Sequence, residues 1–320
     1  MLYRSRLIGF GSYLPKNIIT NNDLSKKIDT SDEWIRARTG IRQRHIVSNE
    51  TCTSMACCAA EQALRYANLS IHDIDAVIVA TSTPDALFPT TAVMVQKELG
   101  MKKGFAFDVS SACSGFIFAL SVADNFIKTG QAKNIILIGS EVYSRILDWS
   151  DRRTCVLFGD GAGAVILTAV KPQENNGILG IYLHTDGQYS ELLYVEGSPT
   201  AQQQNCYVRM NGKEVFRQAV NKLSEVVDEA LIKNNLKHKD IDWLVPHQAN
   251  LRIINGMGKK LKLAPERVIV TVDKHANTSA ASIPLALNVA IRDKRIKSGD
   301  LVIMETLGGG LSWGSALVRI

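Results

Sequence analysis

The chain has 320 residues, 46% of them hydrophobic and 21% charged, with a formal net charge of +6. That composition supplies a large core for one or two domains and excludes a disordered chain, which needs dense charge and few apolar residues. No apolar run approaches the ~20 residues that span a bilayer, and no nucleic-acid motif accompanies the modest positive charge, so neither a membrane nor a nucleic acid is expected as a partner.

The N-terminus, Met1-Leu2-Tyr3-Arg4-Ser5-Arg6, leads into a strand-like Leu7-Ile8-Gly9-Phe10. It lacks the long apolar core and cleavage site of a signal peptide, which predicts a cytoplasmic protein. Thr51 to Ala67 reads as an alanine-rich helix carrying Cys52, Cys57 and Cys58. These three, with Cys155 and Cys206, read as small core residues. None of the six cysteines has Cys-x-x-Cys or zinc-site spacing, and disulfides are not expected in a reducing compartment.

Ile74-Asp75-Ala76-Val77-Ile78-Val79-Ala80 and Phe105-Ala106-Phe107-Asp108-Val109 are apolar strands. Directly after the second, Ser111-Ala112-Cys113-Ser114-Gly115-Phe116 sets one cysteine among small residues where a helix begins. A thiol there feels the positive end of the helix dipole and unpaired backbone N–H groups, which favour the nucleophilic thiolate. The expectation is an enzyme that carries an acyl group on Cys113. Asn134 to Gly139 forms another strand, and Gly159-Asp160-Gly161-Ala162-Gly163 is a glycine turn running into a strand that ends at Leu167. The spacing of that turn imitates a dinucleotide loop, but a strand follows it where a helix is required.

The second half repeats this order. Ile241 to Pro246 answers Ile74 to Ala80, and Asp300 to Glu305 answers Asn134 to Gly139, the second strand following the first by about 60 residues in each half. The small-residue turn and helix from Asn277 to Leu287 answers Ser110 to Leu120, and Gly308-Gly309-Gly310 with the strand to Val318 answers the turn at Gly159. Short apolar strands alternating with helices predict an α/β fold of two similar halves, 1–170 and 171–320, with mostly parallel sheets. The boundary falls in the polar stretch Lys171-Pro172-Gln173-Glu174-Asn175-Asn176-Gly177.

Two polar segments complete the chemistry. His247-Gln248-Ala249-Asn250 follows a strand, so His247 should emerge at the strand's C-terminal edge, where open α/β sheets bind ligands. Asn277 opens the second repeated helix as a cap or as an N–H donor to a ligand. A thiol, an imidazole, a carboxamide and a glycine turn able to present N–H groups make an acyl-transfer set that calls for no metal and no redox cofactor.

These segments resemble the β-ketoacyl-acyl-carrier-protein synthase III family. The likeness runs from Gly11-Ser12-Tyr13-Leu14-Pro15 through Asp29 to Ile35 and Arg38-Thr39-Gly40-Ile41 to Trp313-Gly314-Ser315-Ala316. It is carried most specifically by Ala112-Cys113-Ser114-Gly115, Val245 to Arg252 and Asn277-Thr278-Ser279-Ala280-Ala281-Ser282. The resemblance implies the duplicated thiolase-like fold, layered α-β-α-β-α, and decarboxylative condensation of a short acyl-CoA, acetyl-CoA first, with malonyl-acyl-carrier-protein. It makes Cys113 the nucleophile, His247 and Asn277 its partners, and the amides of Cys113 and Gly309 the oxyanion hole. It further implies that Trp34 and Arg152 stack on the CoA adenine, Arg38 meets a CoA phosphate, and Gly212 and Asn250 line the pantetheine channel. Gln248, Ala249, Asn250, Leu251 and Arg252 become the carrier-protein segment, joined by Lys259, Lys260 and Lys262, and Phe88 limits the acyl pocket of the other subunit of a homodimer. Leu307, Arg153 and Ala276 depart from the family's usual residues, which leaves the primer open. The rivals are a starter-unit synthase or acyltransferase of secondary metabolism and, from another class, a non-catalytic acyl- or CoA-binding protein. A thiolase would need a second cysteine near Gly308, and none is there.

Overall fold

The computed structural model describes residues 3–197 and 206–320. The chain opens with β1 (Arg4–Tyr13), then β2 (Ile18–Thr20), α1 (Asn21–Ser25), α2 (Asp32–Thr39) and β3 (Gln43–His45). There follow α3 (Cys52–Ala67), β4 (Ala76–Ala80), α4 (Thr91–Glu98), β5 (Phe105–Val109), α5 (Gly115–Lys128), β6 (Asn134–Val142) and β7 (Asp160–Val170). After Lys171 to Asn176 come β8 (Gly177–Thr185), β9 (Leu193–Val195), β10 (Val208–Met210), α6 (Gly212–Lys233), β11 (Trp243–Pro246) and α7 (Leu251–Lys260). The chain closes with α8 (Val272–His275), α9 (Ser282–Arg292), β12 (Leu301–Gly308) and β13 (Ser312–Arg319).

Two sheets form the frame, one ordered β1-β7-β6-β4-β5 and the other β11-β12-β13-β8. Reading inward, β8, β13, β12 and β11 occupy the places of β1, β7, β6 and β4. The bridge from Leu244 to Val268 stands where β5 stands in the first sheet. The sheets are mixed, which corrects the expectation of mostly parallel ones. β4 runs parallel to β5 and β6, and β11 to β12, whereas β1/β7, β6/β7, β12/β13 and β13/β8 are antiparallel. Part of the reason is the connection: Gly309 to Leu311 alone join β12 to β13, and the link from β6 to β7 holds a short 3₁₀ helix, Tyr143–Ile146, but no α-helix, so neither pair has the helical crossover of a βαβ unit.

Helices α5 and α9 lie between the sheets. Their sequences, GFIFALSVADNFIK and SIPLALNVAIR, are apolar around most of the helix, as a helix covered on both sides must be. Phe116, Ile117 and Leu120 of α5 and Ile283 and Leu287 of α9 share one core with Ile78 and Val165 of the first sheet and Val302 and Val318 of the second. Helix α3 covers the outer face of the first sheet with Met55, Ala56, Ala59 and Ala63, while α6 covers the second with Val215, Leu223 and Val227. The result is five layers, α-β-α-β-α. The alanines of α3 and the glycines of β1 answer one another: a Cβ on Gly11 would lie 2.1 Å from the Ala59 carbonyl oxygen, so only glycine permits this approach. Among the described residues no helix is long and apolar enough to cross a membrane.

Candidate active site

The strand-to-helix turn after β5 places Cys113. Ala112 takes φ +44°, and one 3₁₀ turn over Ala112 to Ser114 leads into α5. Thr306 Oγ1 of β12 donates to the Cys113 carbonyl at 2.9 Å, and Ser114 Oγ lies 2.5 Å from Ser312 Oγ of β13, so the turn is fastened to the second half. At the end of β12, a Cβ on Gly308 would lie 2.9 Å from both the Cys113 and Ser114 nitrogens. The backbone of the glycine turn therefore abuts the amides that open α5.

His247 ends β11. Its N–H donates to the Glu305 carbonyl at 2.8 Å, and its Nδ1 lies 2.6 Å from Ser282 Oγ at the start of α9. Asn277 is tied on both sides to the loop before β7, with its N–H on the Leu157 carbonyl at 2.9 Å and its carbonyl accepting from Gly159 N at 3.0 Å. Its Oδ1 accepts from Ser279 N at 2.9 Å. That bond uses the oxygen, and the amide N–H₂ makes no hydrogen bond among the described residues; the N-cap of the 3₁₀ turn that follows is Thr278, so Asn277 is not the helix cap that its place in the sequence suggested.

Cys113, His247 and Asn277 are buried and line one cavity of about 380 Å³ together with Phe158, Leu307 and Met210. Burial pushes the Cys113 thiol up to about 12, against which the Ser279 hydroxyl beside it and the local backbone amide pull down. Burial likewise holds His247 down at about 3. Burial therefore disfavours both the thiolate of Cys113 and the charged form of His247, and at Cys113 it opposes the helix terminus that favours the anion.

The same cavity reaches the surface at Trp34, Arg38 and Arg152. The Arg38 guanidinium stands 4.4 Å from the Trp34 ring centroid and that of Arg152 stands 5.2 Å from it. Arg152 also donates to the Asp29 carbonyl at 2.6 Å and its carboxylate at 3.0 Å. Arg153 is folded back on Asp151, with Nε and one terminal nitrogen both bonded to the carboxylate. Gly212, at the start of α6, and Asn250, Ala249 and Arg252, at the start of α7, lie on the cavity wall. Asn250 caps α7 by accepting from Arg252 N at 2.8 Å, and its Nδ2 donates to the Arg38 carbonyl at 3.1 Å. Leu251 packs on Gly40, which has φ +78° and where an added Cβ would lie 2.5 Å from the Leu251 Cβ, so the position requires glycine.

Gln248 is placed otherwise than expected. Its side chain is fully buried, donates to the Pro246 and Ile269 carbonyls, and accepts from Thr271 N and Val272 N. Every polar atom of the amide is used inside the protein, so the side chain braces the loop and is withdrawn from the surface set of Ala249 to Arg252. Phe88 is 84% exposed and takes no part in the cavity of its own chain. Sequence reasoning assigned no role to Ser279, Ser282 or Glu141. Glu141 is fully buried, accepts from Ser279 Oγ at 3.0 Å and Thr83 Oγ1 at 2.6 Å, and is pushed up to about 7 by burial. Only their places in the quoted serine-rich segment and in an apolar strand marked them.

Comparison with known proteins agrees with this geometry. Residues 107–187 match the family model of 3-oxoacyl-[acyl-carrier-protein] synthase III, and residues 231–320 match that of its C-terminal part. A β-ketoacyl-[acyl-carrier-protein] synthase III of Acidiphilium cryptum is 58% identical over 99% of this chain and 100% of its own. The crystal structure of the corresponding enzyme of Aquifex aeolicus superposes with a TM-score of 0.94 at 49% identity, covering 99% of this chain and 100% of that one. A priming β-ketosynthase from a polyketide biosynthetic pathway superposes with a TM-score of 0.93 at 34% identity, over 100% and 98% of the two chains. A thiol, an imidazole and a carboxamide held at the buried end of one cavity, together with these full-length matches, place the chain in the β-ketoacyl-[acyl-carrier-protein] synthase III family.

Proposed function

We propose that the protein is an acyltransferase that initiates type II fatty acid synthesis by joining a short acyl-CoA to malonyl-acyl-carrier-protein. The observation that carries this reading is one cavity with Cys113, His247 and Asn277 at its buried end and a tryptophan flanked by two arginines at its mouth. Trp34 and Arg152 present an aromatic face and a cation to the adenine, and Arg38 a cation to a phosphate. Gly212 and Asn250 flank the pantetheine arm. Cys113 sulfur attacks the acyl carbonyl, the amides of Cys113 and Gly309 receive the oxyanion, and CoA departs with the thiol proton. Such donors act strongly because the site is dry and they are already in place.

The acidic carrier protein docks on Ala249 to Arg252 and on Lys259, Lys260 and Lys262, which are exposed along and just beyond α7. His247 and Asn277 then donate to the malonyl thioester oxygen. Loss of CO₂ leaves the bonding electrons in an enolate, which attacks the acyl-Cys113 carbonyl. The Cys113 sulfur leaves as thiolate and takes a proton from solvent, and the 3-oxoacyl group stays on the carrier. Each half, 1–170 and 171–320, supplies part of the set. The enzyme acts as a cytoplasmic homodimer in which Phe88 reaches the partner's acyl pocket; the free outer edge of β5 and the exposed Leu87 and Phe88 support that assembly.

Intact-protein mass spectrometry with a panel of acyl-CoAs, followed by malonyl-acyl-carrier-protein, tests the reading. It predicts one acyl adduct, absent in C113A, that the malonyl carrier discharges as 3-oxoacyl product. An adduct that the malonyl carrier cannot discharge would replace it with an acyltransferase of secondary metabolism. No adduct from any acyl-CoA would refute Cys113 as a CoA-primed nucleophile.

A further inference from the structure

A neutral imidazole carries one proton on either of two nitrogens, and only the protonated one donates. In this site Nδ1 faces Ser282 Oγ at 2.6 Å, while Nε2 makes no hydrogen bond to the described residues and is left to the cavity that His247 lines. Ser282 is itself buried at the first position of α9. Its oxygen already accepts from the backbone N–H of Gln248 at 3.3 Å. That N–H is held in place because the Gln248 side chain is anchored to Pro246, Ile269, Thr271 and Val272.

The inventory of the hydroxyl decides between the tautomers. A serine has one O–H to give and two lone pairs to receive. Among the described residues no acceptor other than Nδ1 lies within reach of the Ser282 O–H. With the ring proton on Nδ1, the serine oxygen would face two donors, and its own hydrogen would be buried without an acceptor, an arrangement that native structures avoid. With the ring proton on Nε2, the Gln248 N–H donates to Ser282, Ser282 donates to Nδ1, and every group in the chain is satisfied.

We propose that Ser282 is a positioning residue that holds His247 in the Nε2–H tautomer, so that the cavity is offered a hydrogen-bond donor rather than a base. Its consequence for turnover rests on the condensation reading above: the donor serves the malonyl half of the reaction, where negative charge develops on the thioester oxygen, and is not needed to acylate Cys113. Ser282 touches no reacting atom and acts only through the ring.

The test combines a spectrum with split kinetics. In ¹⁵N-histidine-labelled protein, with His247 assigned by its absence from H247Q, the expected wild-type signal at pH 7 is protonated Nε2 and unprotonated Nδ1. In S282A the ring loses that bias. CO₂ release from malonyl-acyl-carrier-protein by the preformed acyl-enzyme should fall about 10-fold, the order of one lost hydrogen bond, with acylation of Cys113 unchanged. S282T, which keeps the hydroxyl, should restore both. An Nδ1–H signal in the wild type overturns the proposal, as does a folded S282A with wild-type tautomer and CO₂ release. Should S282A not fold, the wild-type spectrum decides alone. A wild-type acyl-enzyme that never discharges malonyl carrier would sink the condensation reading instead, leaving the tautomer to the spectrum.

Discussion

Gly308 is the last residue of β12, and its α-carbon faces the backbone nitrogens of Cys113 and Ser114. An added Cβ would stand 2.9 Å from each nitrogen and 3.3 Å from the Cys113 Cβ. Real Cβ atoms do not approach so closely, and the obstructing atoms are backbone, so the turn carrying Cys113 must move. The glycine is outside the left-handed region, so G308A introduces crowding without backbone strain at the site of substitution. Overpacking of this kind costs about 1–3 kcal/mol of stability. A larger effect is expected on chemistry, because the displaced Cys113 amide is an oxyanion donor in the proposed mechanism. Losing one such donor lowers the rate by roughly 10²–10³-fold. The assay is single-turnover acylation of Cys113 by acetyl-CoA, followed by intact mass, with urea unfolding in parallel. G187A is the control, since an added Cβ there meets nothing within 4 Å. A G308A enzyme that acylates at the wild-type rate would refute the reasoning that the glycine turn sets the position of the amide.

Three further outcomes follow from groups described above. Ala276 sits at φ +59°, ψ −162°, a region that glycine alone enters freely; A276G should stabilise the protein by about 1 kcal/mol, or ~2 °C in Tm, and a lower Tm would contradict the strain. With the thiol near 12 and the imidazole near 3, acylation should rise about tenfold per pH unit from pH 6 to 9 as the thiolate fraction grows. A stopped-flow profile that levels off above pH 7 would mean the thiolate is already formed. Glu305 is buried, its Oε2 has no partner among the described residues, and burial pushes its carboxyl from 4.5 up to about 8. A raised carboxyl contributes stability that is complete below 4.5 and lost as pH climbs to 8, a loss approaching about 5 kcal/mol. E305Q should therefore gain on the wild type with rising pH over that window, whereas urea midpoints that stay parallel would contradict the shift.

The candidate residues were legible in part from local pattern. Cys113 lies among small residues where a strand becomes a helix, and Asn277 precedes the equivalent helix of the repeat, so both stood out, while their roles came from the family resemblance. The repeat was legible too, since buried strands are continuous apolar runs and their order recurs about 60 residues apart in each half. Strand direction was not. It depends on whether a connection crosses over by a helix, and the links before β7 and β13, which contain no α-helix, return antiparallel.

The sequence by itself determined which groups the protein has for chemistry and that two α/β halves would present them. Tertiary structure alone decided their ionisation and direction. The charge of Cys113 depends on solvent excluded by residues distant in the chain, and that burial disfavours the thiolate. Gln248 opens the segment expected to face the carrier protein, yet four bonds to residues 246, 269, 271 and 272 turn it inward. Ser282 meets His247 only because α9 is packed between the sheets beside the end of β11, a contact across 35 positions that no local pattern encodes. Residue type limits what a site can do, but the folded surroundings set which proton it holds and where it points.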